Sequence, residues 1–315
     1  MYILKQQPED FIVKEISLVE LGKAGKYCYF WMKKKNYNTL EAVSKIADML
    51  RIPLKKIGYA GNKDRKAITE QMISIEGISK ERIEQLKMKD IFLEYKGNGD
   101  SRISLGELSG NSFEITIRNI EKKPILKKKI INYFGEQRFS TNNAEIGKAI
   151  VKREFKKAVE TTLCGTGRAE EKMRKYLEKN AGNYVGALKT INKKILTLYI
   201  HAYQSLLWNK TVQRYSSEQK EMPEVPIIGF GIEFPDKFTE EIMKEEEIKP
   251  RDFIIKQIPE LSSEGGTRQM TIEASNISIS ELREDELNSG MKKIVIKFIL
   301  PKGSYATEYV KQLFS

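Results

Sequence analysis

The hydrophobic period of this chain changes twice, and that constrains its fold more than any other feature. Before the first change, apolar residues alternate with polar ones. The alternation is clearest over Gly110–Arg118, where Phe113, Ile115 and Ile117 share one face of an expected strand. From about Ala144 to Tyr215 the spacing is helical, with Ile146, Ile150, Ala158, Val159 and Leu163 in one segment and Ile200, Tyr203 and Leu207 in another. Strand-like patterning returns near Gly265, in Arg268–Ala274 and in Lys293–Leu300. The pattern predicts an α+β domain built from both ends of the chain, residues 1–143 and 264–315, interrupted by a mainly helical insertion, residues 144–263. At 315 residues the chain is long enough for two ordinary domains.

Local signals fill in this plan. Tyr2–Lys5 reads as a short strand ended by Gln6-Gln7-Pro8, and Glu9–Glu15 as a second extended piece. Tyr27–Met32 reads as a buried strand, with the run Lys33–Lys35 as a solvated turn after it. Asn38 or Thr39 caps a helix whose apolar positions are Leu40, Val43, Ile46, Ala47 and Leu50, and Pro53 marks its end. Met72–Ile75 is the next strand, and Ser79–Leu86 a short helix. Ile91–Tyr95 and Arg102–Leu105 read as strands around a turn at Gly97–Asp100. Pro124–Asn132 is expected to open a helix carrying Lys127–Lys129, Met222–Phe234 to be irregular, and Ser304–Phe314 to close the chain as a helix.

The formal net charge of +12 favours a polyanionic partner, because Lys and Arg contacts to phosphates release counterions from nucleic acid. A Lys- and Glu-rich surface also serves thermal stability through ion-pair networks. Two cysteines, Cys28 and Cys164, are too few for a disulfide framework or a cysteine zinc site. With His201 as the sole histidine, histidine metal sites and histidine-assisted nucleophiles have almost no raw material. Chemistry therefore rests on Asp, Glu, Lys, Arg or Tyr. No apolar run approaches ~20 residues and the N-terminus lacks a signal-peptide pattern, so a cytoplasmic protein without a membrane span is expected.

Against that background Gly58–Gln71 stands out, with Asp64 between Lys63 and Arg65. The preceding Gly58, Gly61 and Asn62 predict a tight turn using positive φ, on a connection between a helix and a strand. Asp64 by itself reads as a turn or cap residue. The flanking cations favour an ionised carboxylate, which suits a nucleophile or base, and structural ion pairs do the same. Gly165-Thr166-Gly167-Arg168 lacks Walker spacing and reads as a helix connection. Phe134 and Phe139 read as core anchors around a polar loop from which Arg138 is a candidate phosphate contact. His201 reads as a structural or surface residue.

Several of these stretches together resemble the TruD-type pseudouridine synthases. Ala60-Gly61-Asn62-Lys63-Asp64, continuing through Ala67, Thr69 and Gln71, is similar to the family's catalytic-aspartate motif. Pro8-Glu9-Asp10-Phe11 with Val13 and Glu15, Gly110-Asn111-Ser112-Phe113, Asn132–Phe139 and Leu300–Thr307 match in the expected order, and Ala202–Asn209 and Thr267–Met270 match more weakly.

The resemblance implies a pseudouridine synthase-type mixed, mostly antiparallel sheet interrupted by a helical TRUD insertion domain that binds RNA. It implies isomerisation of a uridine in tRNA, typically position 13, with no cofactor and no metal. Asp64 is the implied catalytic residue, acting on C1′ or on the C2′ proton. Phe113 is the implied stacking ring for a flipped base, and Asn111 a contact to that base or to Asp64. Lys5 is placed near the acid, where it favours the ionised form; Lys63 and Arg138 complete the expected substrate contacts. The alternatives are a basic RNA-binding protein without catalysis, or a synthase acting on another tRNA position or another RNA. A metal-dependent nuclease is poorly served, since no cluster of carboxylates is evident. The oligomeric state is not legible.

Overall fold

The computed structural model describes residues 2–139, 142–233 and 235–315; Met1 and Phe234, which end two of the segments read above, lie outside them. The chain forms two compact units. One comprises Met1–Ile130 with Ile272–Ser315, the other Ile131–Thr271. The division thus falls at 131 and 271 rather than at 144 and 263. Residues on the flanks go with the helical unit because Phe134 packs edge-on against Trp208, and Arg268 donates to the Asn132 carbonyl and side chain.

The first stretch contributes β1 (Phe11–Ser17), β2 (Tyr27–Lys35), α1 (Thr39–Leu50), β3 (Ile57–Tyr59) and β4 (Ile68–Glu76). It continues with α2 (Lys80–Glu84), β5 (Ile91–Gly99), β6 (Leu108–Ile120) and β7 (Lys129–Ile131). The helical unit contains α3 (Asn143–Val151), α4 (Phe155–Leu163), α5 (Arg168–Lys179), α6 (Tyr184–Lys189) and α7 (Lys193–Ser217). After it come β8 (Glu224–Ile227), α8 (Lys237–Glu245), β9 (Gly266–Gln269) and β10 (Thr271–Glu273). The chain ends with β11 (Ser275–Ile279), β12 (Arg283–Glu284), β13 (Lys292–Pro301) and α9 (Ala306–Leu313).

Among the described residues the first unit is built on one nine-stranded sheet of order β11-β13-β6-β1-β4-β2-β5, with β12 added to β13 and β3 to β4. The pair β1–β4 is parallel and the other registered pairs are antiparallel. Both ends of the chain therefore enter one sheet, with β13 pairing with β6 along its length. Helix α1 starts where expected: the Asn38 side chain accepts from the Glu41 N–H while Glu41 reaches back to the Asn38 N–H, a capping box. Its apolar face, Ala42, Val43, Ile46 and Leu50, packs on Phe30, Met32, Ile73 and Ile75. Helix α9 packs Tyr309, Val310 and Leu313 against Phe298, Ile115 and Ile117. In the second unit the core is formed by α3 to α8 with the segment around Phe253, and the long α7 runs through it with Tyr203 and Leu207 fully buried.

Several local expectations are corrected. The stretch Tyr2–Lys5 makes only one bridge, Ile3 to Arg118, because Lys5 turns left-handed at φ 55°. The lysines Lys33–Lys35 are not a turn but the end of β2, paired with Glu70, Thr69 and Ile68. No strand forms at Arg102–Leu105: the Ile103 N–H is taken by the Ser74 hydroxyl, and the Arg102 side chain holds the Ile57 carbonyl. Gly97–Gly99 belong to β5 rather than to a turn, past a bulge at Tyr29/Phe30. Pro124–Asn132 forms no helix, since its main chain is used at long range: the Lys128 carbonyl accepts from Ala274, and the Asn132 N–H donates to Met270. Arg268–Ala274 divides into two strands with different partners, β9 on β8 and β10 on β7.

Candidate active site

Strand alternation puts the site's side chains on one face of the sheet. Lys34, Thr69, Val13, Phe113 and Phe298 are successive cross-strand partners over β2, β4, β1, β6 and β13. Neighbouring positions on the same face carry Gln71, and the partners Glu15, Asn111 and Leu300. Helices α1 and α9 pack on apolar parts of this face. The polar residues cluster where β1, β4 and β6 run together, and the chain from Ala60 to Ala67, joining β3 to β4, is tied to them.

That connection is stitched down residue by residue from the segment 34–41. The Lys63 N–H donates to Thr39 Oγ1 at 2.8 Å, and Lys34 Nζ donates to the Asp64 carbonyl at 3.1 Å. Arg65 pairs with Glu41, and the Asn36 N–H donates to the Ala67 carbonyl. From below, Gln71 Nε2 holds the Gly61 carbonyl at 2.9 Å while its Oε1 accepts from Thr39. Lys63 Nζ lies 2.7 Å from Glu15 Oε2, both side chains buried. The connection is thus strand to strand, not helix to strand. Its glycines do not use positive φ either; the left-handed residue is Asn36, in the turn beneath it. Gly58 is required for close approach, since a Cβ there would stand 2.4 Å from the Ile103 carbonyl.

Asp64 emerges from this bed with 34% of its side chain exposed, and Lys5 Nζ lies 2.5 Å from its Oδ2. Lys5 also sits 4.1 Å over the Phe11 ring. Its short segment is anchored on both sides. Ile3 exchanges two main-chain bonds with Arg118, and Asp10, ion-paired to Arg118, accepts from the Gln7 N–H.

Five of the six expected site residues, Lys5, Lys63, Asp64, Asn111 and Phe113, belong to the sheet unit. Lys63 is turned inward to Glu15 instead of outward, so it builds the loop rather than offering a free contact. Phe113 is 7% exposed, stacked on Phe298 at 5.3 Å and edge-on to Phe11 at 6.2 Å, which leaves little of its ring uncovered. Asn111 Oδ1 is buried and has no hydrogen-bond partner among the described residues. Arg138 belongs to the helical unit, where its Nε donates to Ser205 and its guanidinium lies 5.1 Å from the Phe134 ring. Sequence reasoning named Glu15 and Gln71 only as motif positions, without a role in the site, and missed Lys34. The signal for Lys34 was its phase: Phe30, Met32 and Lys34 alternate inward along β2.

Comparison with known proteins places this chain and its fold in the pseudouridine synthase class. The family model for tRNA pseudouridine synthase D (TruD) matches residues 2–173, 166–225 and 210–313. A tRNA pseudouridine synthase D from Aquifex aeolicus is 30% identical, over 99% of this chain and 97% of the relative. A probable tRNA pseudouridine synthase D from Methanosarcina acetivorans is also 30% identical, over 98% of this chain and 91% of the relative. The crystal structure of the putative TruD from Methanosarcina mazei superposes with a TM-score of 0.77 at 28% identity, covering 99% of this chain and 93% of that one. The chain belongs to the TruD family.

Proposed function

We propose that this protein converts a uridine of tRNA to pseudouridine, with uridine 13 as the target and Asp64 as the catalytic residue. The observation that carries this reading is the Asp64 carboxylate, partly open to solvent and gripped by Lys5 on a loop fixed at four neighbouring residues. Such fixing is what positional catalysis needs. The reaction breaks N1–C1′, turns the uracil, joins C5 to C1′, releases the C5 proton and leaves N1 protonated, so no atom is gained or lost overall. Asp64 serves by attack on C1′ or by removal of the C2′ proton; both begin from the same ionised oxygen.

Substrate contacts follow from the same face. An acceptor buried without a partner costs about 1–3 kcal/mol, and the unpartnered Asn111 Oδ1 suits the N3–H of uracil, the donor on that base's pairing edge. Phe113, largely covered, serves as the wall of the base pocket through its remaining free edge. The helical unit supplies RNA contacts, with Arg138 among them. Its Phe134 ring is flanked by Arg138 and by Arg268, the latter 4.1 Å away. The net charge of +12 fits a polyanionic substrate.

The test is isomerisation of unmodified tRNA transcripts, read by carbodiimide adducts and primer extension. A stop at uridine 13 that disappears with Asp64→Asn supports the reading; no new stop on any tRNA refutes it. Salt-sensitive RNA binding without a new stop would favour a non-catalytic binding protein instead.

A further inference from the structure

Of the cations around the catalytic loop, three face a carboxylate at ion-pair distance, Lys66 is exposed to solvent, and Lys34 is neither ion-paired nor exposed. Lys5 faces Asp64, Lys63 faces Glu15 and Arg65 faces Glu41. Lys34 is completely buried, yet its Nζ bonds two neutral main-chain oxygens, those of Tyr37 at 2.5 Å and Asp64 at 3.1 Å. Among the described residues no carboxylate forms an ion pair with it. Burying an ammonium with no carboxylate at ion-pair distance is costly even where Asp64 and Glu41 offset part of the cost, and an apolar side chain in line with Phe30 and Met32 would avoid it. A local rule broken at the main chain of the catalytic acid marks a functional position.

We propose that Lys34 is a positioning residue for Asp64, tying the Asp64 carbonyl to the turn between β2 and α1 and thereby fixing where the carboxylate meets the sugar. This rests on the assignment of Asp64 above. Lys34 does not touch substrate, so its effect falls on the chemical step and not on RNA affinity. The groups facing it are Asp64 and Lys63 on the loop and Glu41 on α1. Burial pushes its ammonium down to about 8; Asp64 and Glu41 oppose that shift and Lys63 adds to it. Above that pH the grip on the two carbonyls loses its charge assistance.

Single-turnover isomerisation, with enzyme in excess between roughly pH 6.5 and 9.5, tests this. The wild-type rate is expected to fall on an alkaline limb centred near pH 8. Lys34→Met should lower the rate about 10- to 100-fold, keep tRNA affinity within about two-fold, and remove that limb. Lys34→Arg, charged at every pH used, should restore part of the rate and shift the limb upward. A Lys34→Met enzyme with the wild-type rate or limb overturns the proposal. If that variant does not fold, an unmoved limb in Lys34→Arg overturns it equally. A wild-type protein that never turns over overturns the activity as well, which separates the two failures.

Discussion

Two clusters of buried charge serve this molecule in opposite ways. Around Arg118 the buried groups satisfy one another: its guanidinium pairs with the buried Asp10 and Asp285 and with the exposed Glu286, and Asp285 also accepts from the Asn119 and Leu287 N–H groups and from Asn288. Burial alone would raise Asp285, but these donors outweigh it and hold the carboxyl at about 2. Around Asp64 the carboxylate is left partly exposed, and a buried ammonium faces its main chain. The first cluster spends its hydrogen bonds on position. The second leaves a carboxylate partly accessible, as the role proposed for Asp64 requires. The two meet through Asp10, whose other oxygen accepts from Gln7 in the segment that carries Lys5.

The largest difference should appear in activity. Asp64→Asn is expected to reduce turnover at least about 10³-fold while the melting temperature stays unchanged or rises, because the role proposed for this partly exposed residue is in the chemistry and not in packing. A melting temperature that collapses in this variant would erase the distinction between the clusters. Next, Arg118→Leu leaves Asp10 and Asp285 buried without their cation and should cost about 3–5 kcal/mol in chemical denaturation. Any active fraction of that variant should retain tRNA affinity while losing rate, since the Lys5 segment loses its anchor.

Acid provides a smaller and graded comparison, now between the two units. In the helical unit Glu246 also sits at about 2: burial would raise it, and the ammoniums of Lys148 and Lys210 more than reverse that. Asp285 and Glu246 both titrate lower in the folded chain than in an unfolded one. The stability they contribute is therefore full above about pH 4.5 and is lost as pH falls toward about 2. Thermal melts over that range should fall in wild type and fall less steeply in Asp285→Asn and in Glu246→Gln. Smallest of all, Arg65→Ala breaks an exposed pair with Glu41 and should leave the melting temperature almost unchanged. A larger loss would mean that the loop depends on this outer stitch as well as on Thr39 and Lys34.

What was legible in the sequence follows from how each signal arises. The α1 helix, the phase of β6 and the interruption of a strand-rich fold by helices are local or periodic properties, and they can be read from neighbouring residues. The nine-strand order cannot, because it depends on β13 finding β6 and on β1 finding β4 across long stretches of chain. In the site, Asp64 and Lys5 were recognisable from motif resemblance. Lys34 was lost because three consecutive lysines read as solvated, although the period of β2 turns the middle one inward. The predicted helix at Pro124–Asn132 failed for a related reason: a lysine-rich segment with good helix formers gave its main chain to partners more than a hundred residues away.

The pairing of β7 with β10 has a consequence for how such a protein diversifies. The chain leaves the sheet unit along one strand and comes back along its neighbour, so from the sheet's side the helical unit is equivalent to a hairpin loop. Its length and surface can change through descent without moving a strand of the sheet or the connection that carries Asp64. A family built this way can vary its helical unit while leaving the sheet that holds Asp64 in place.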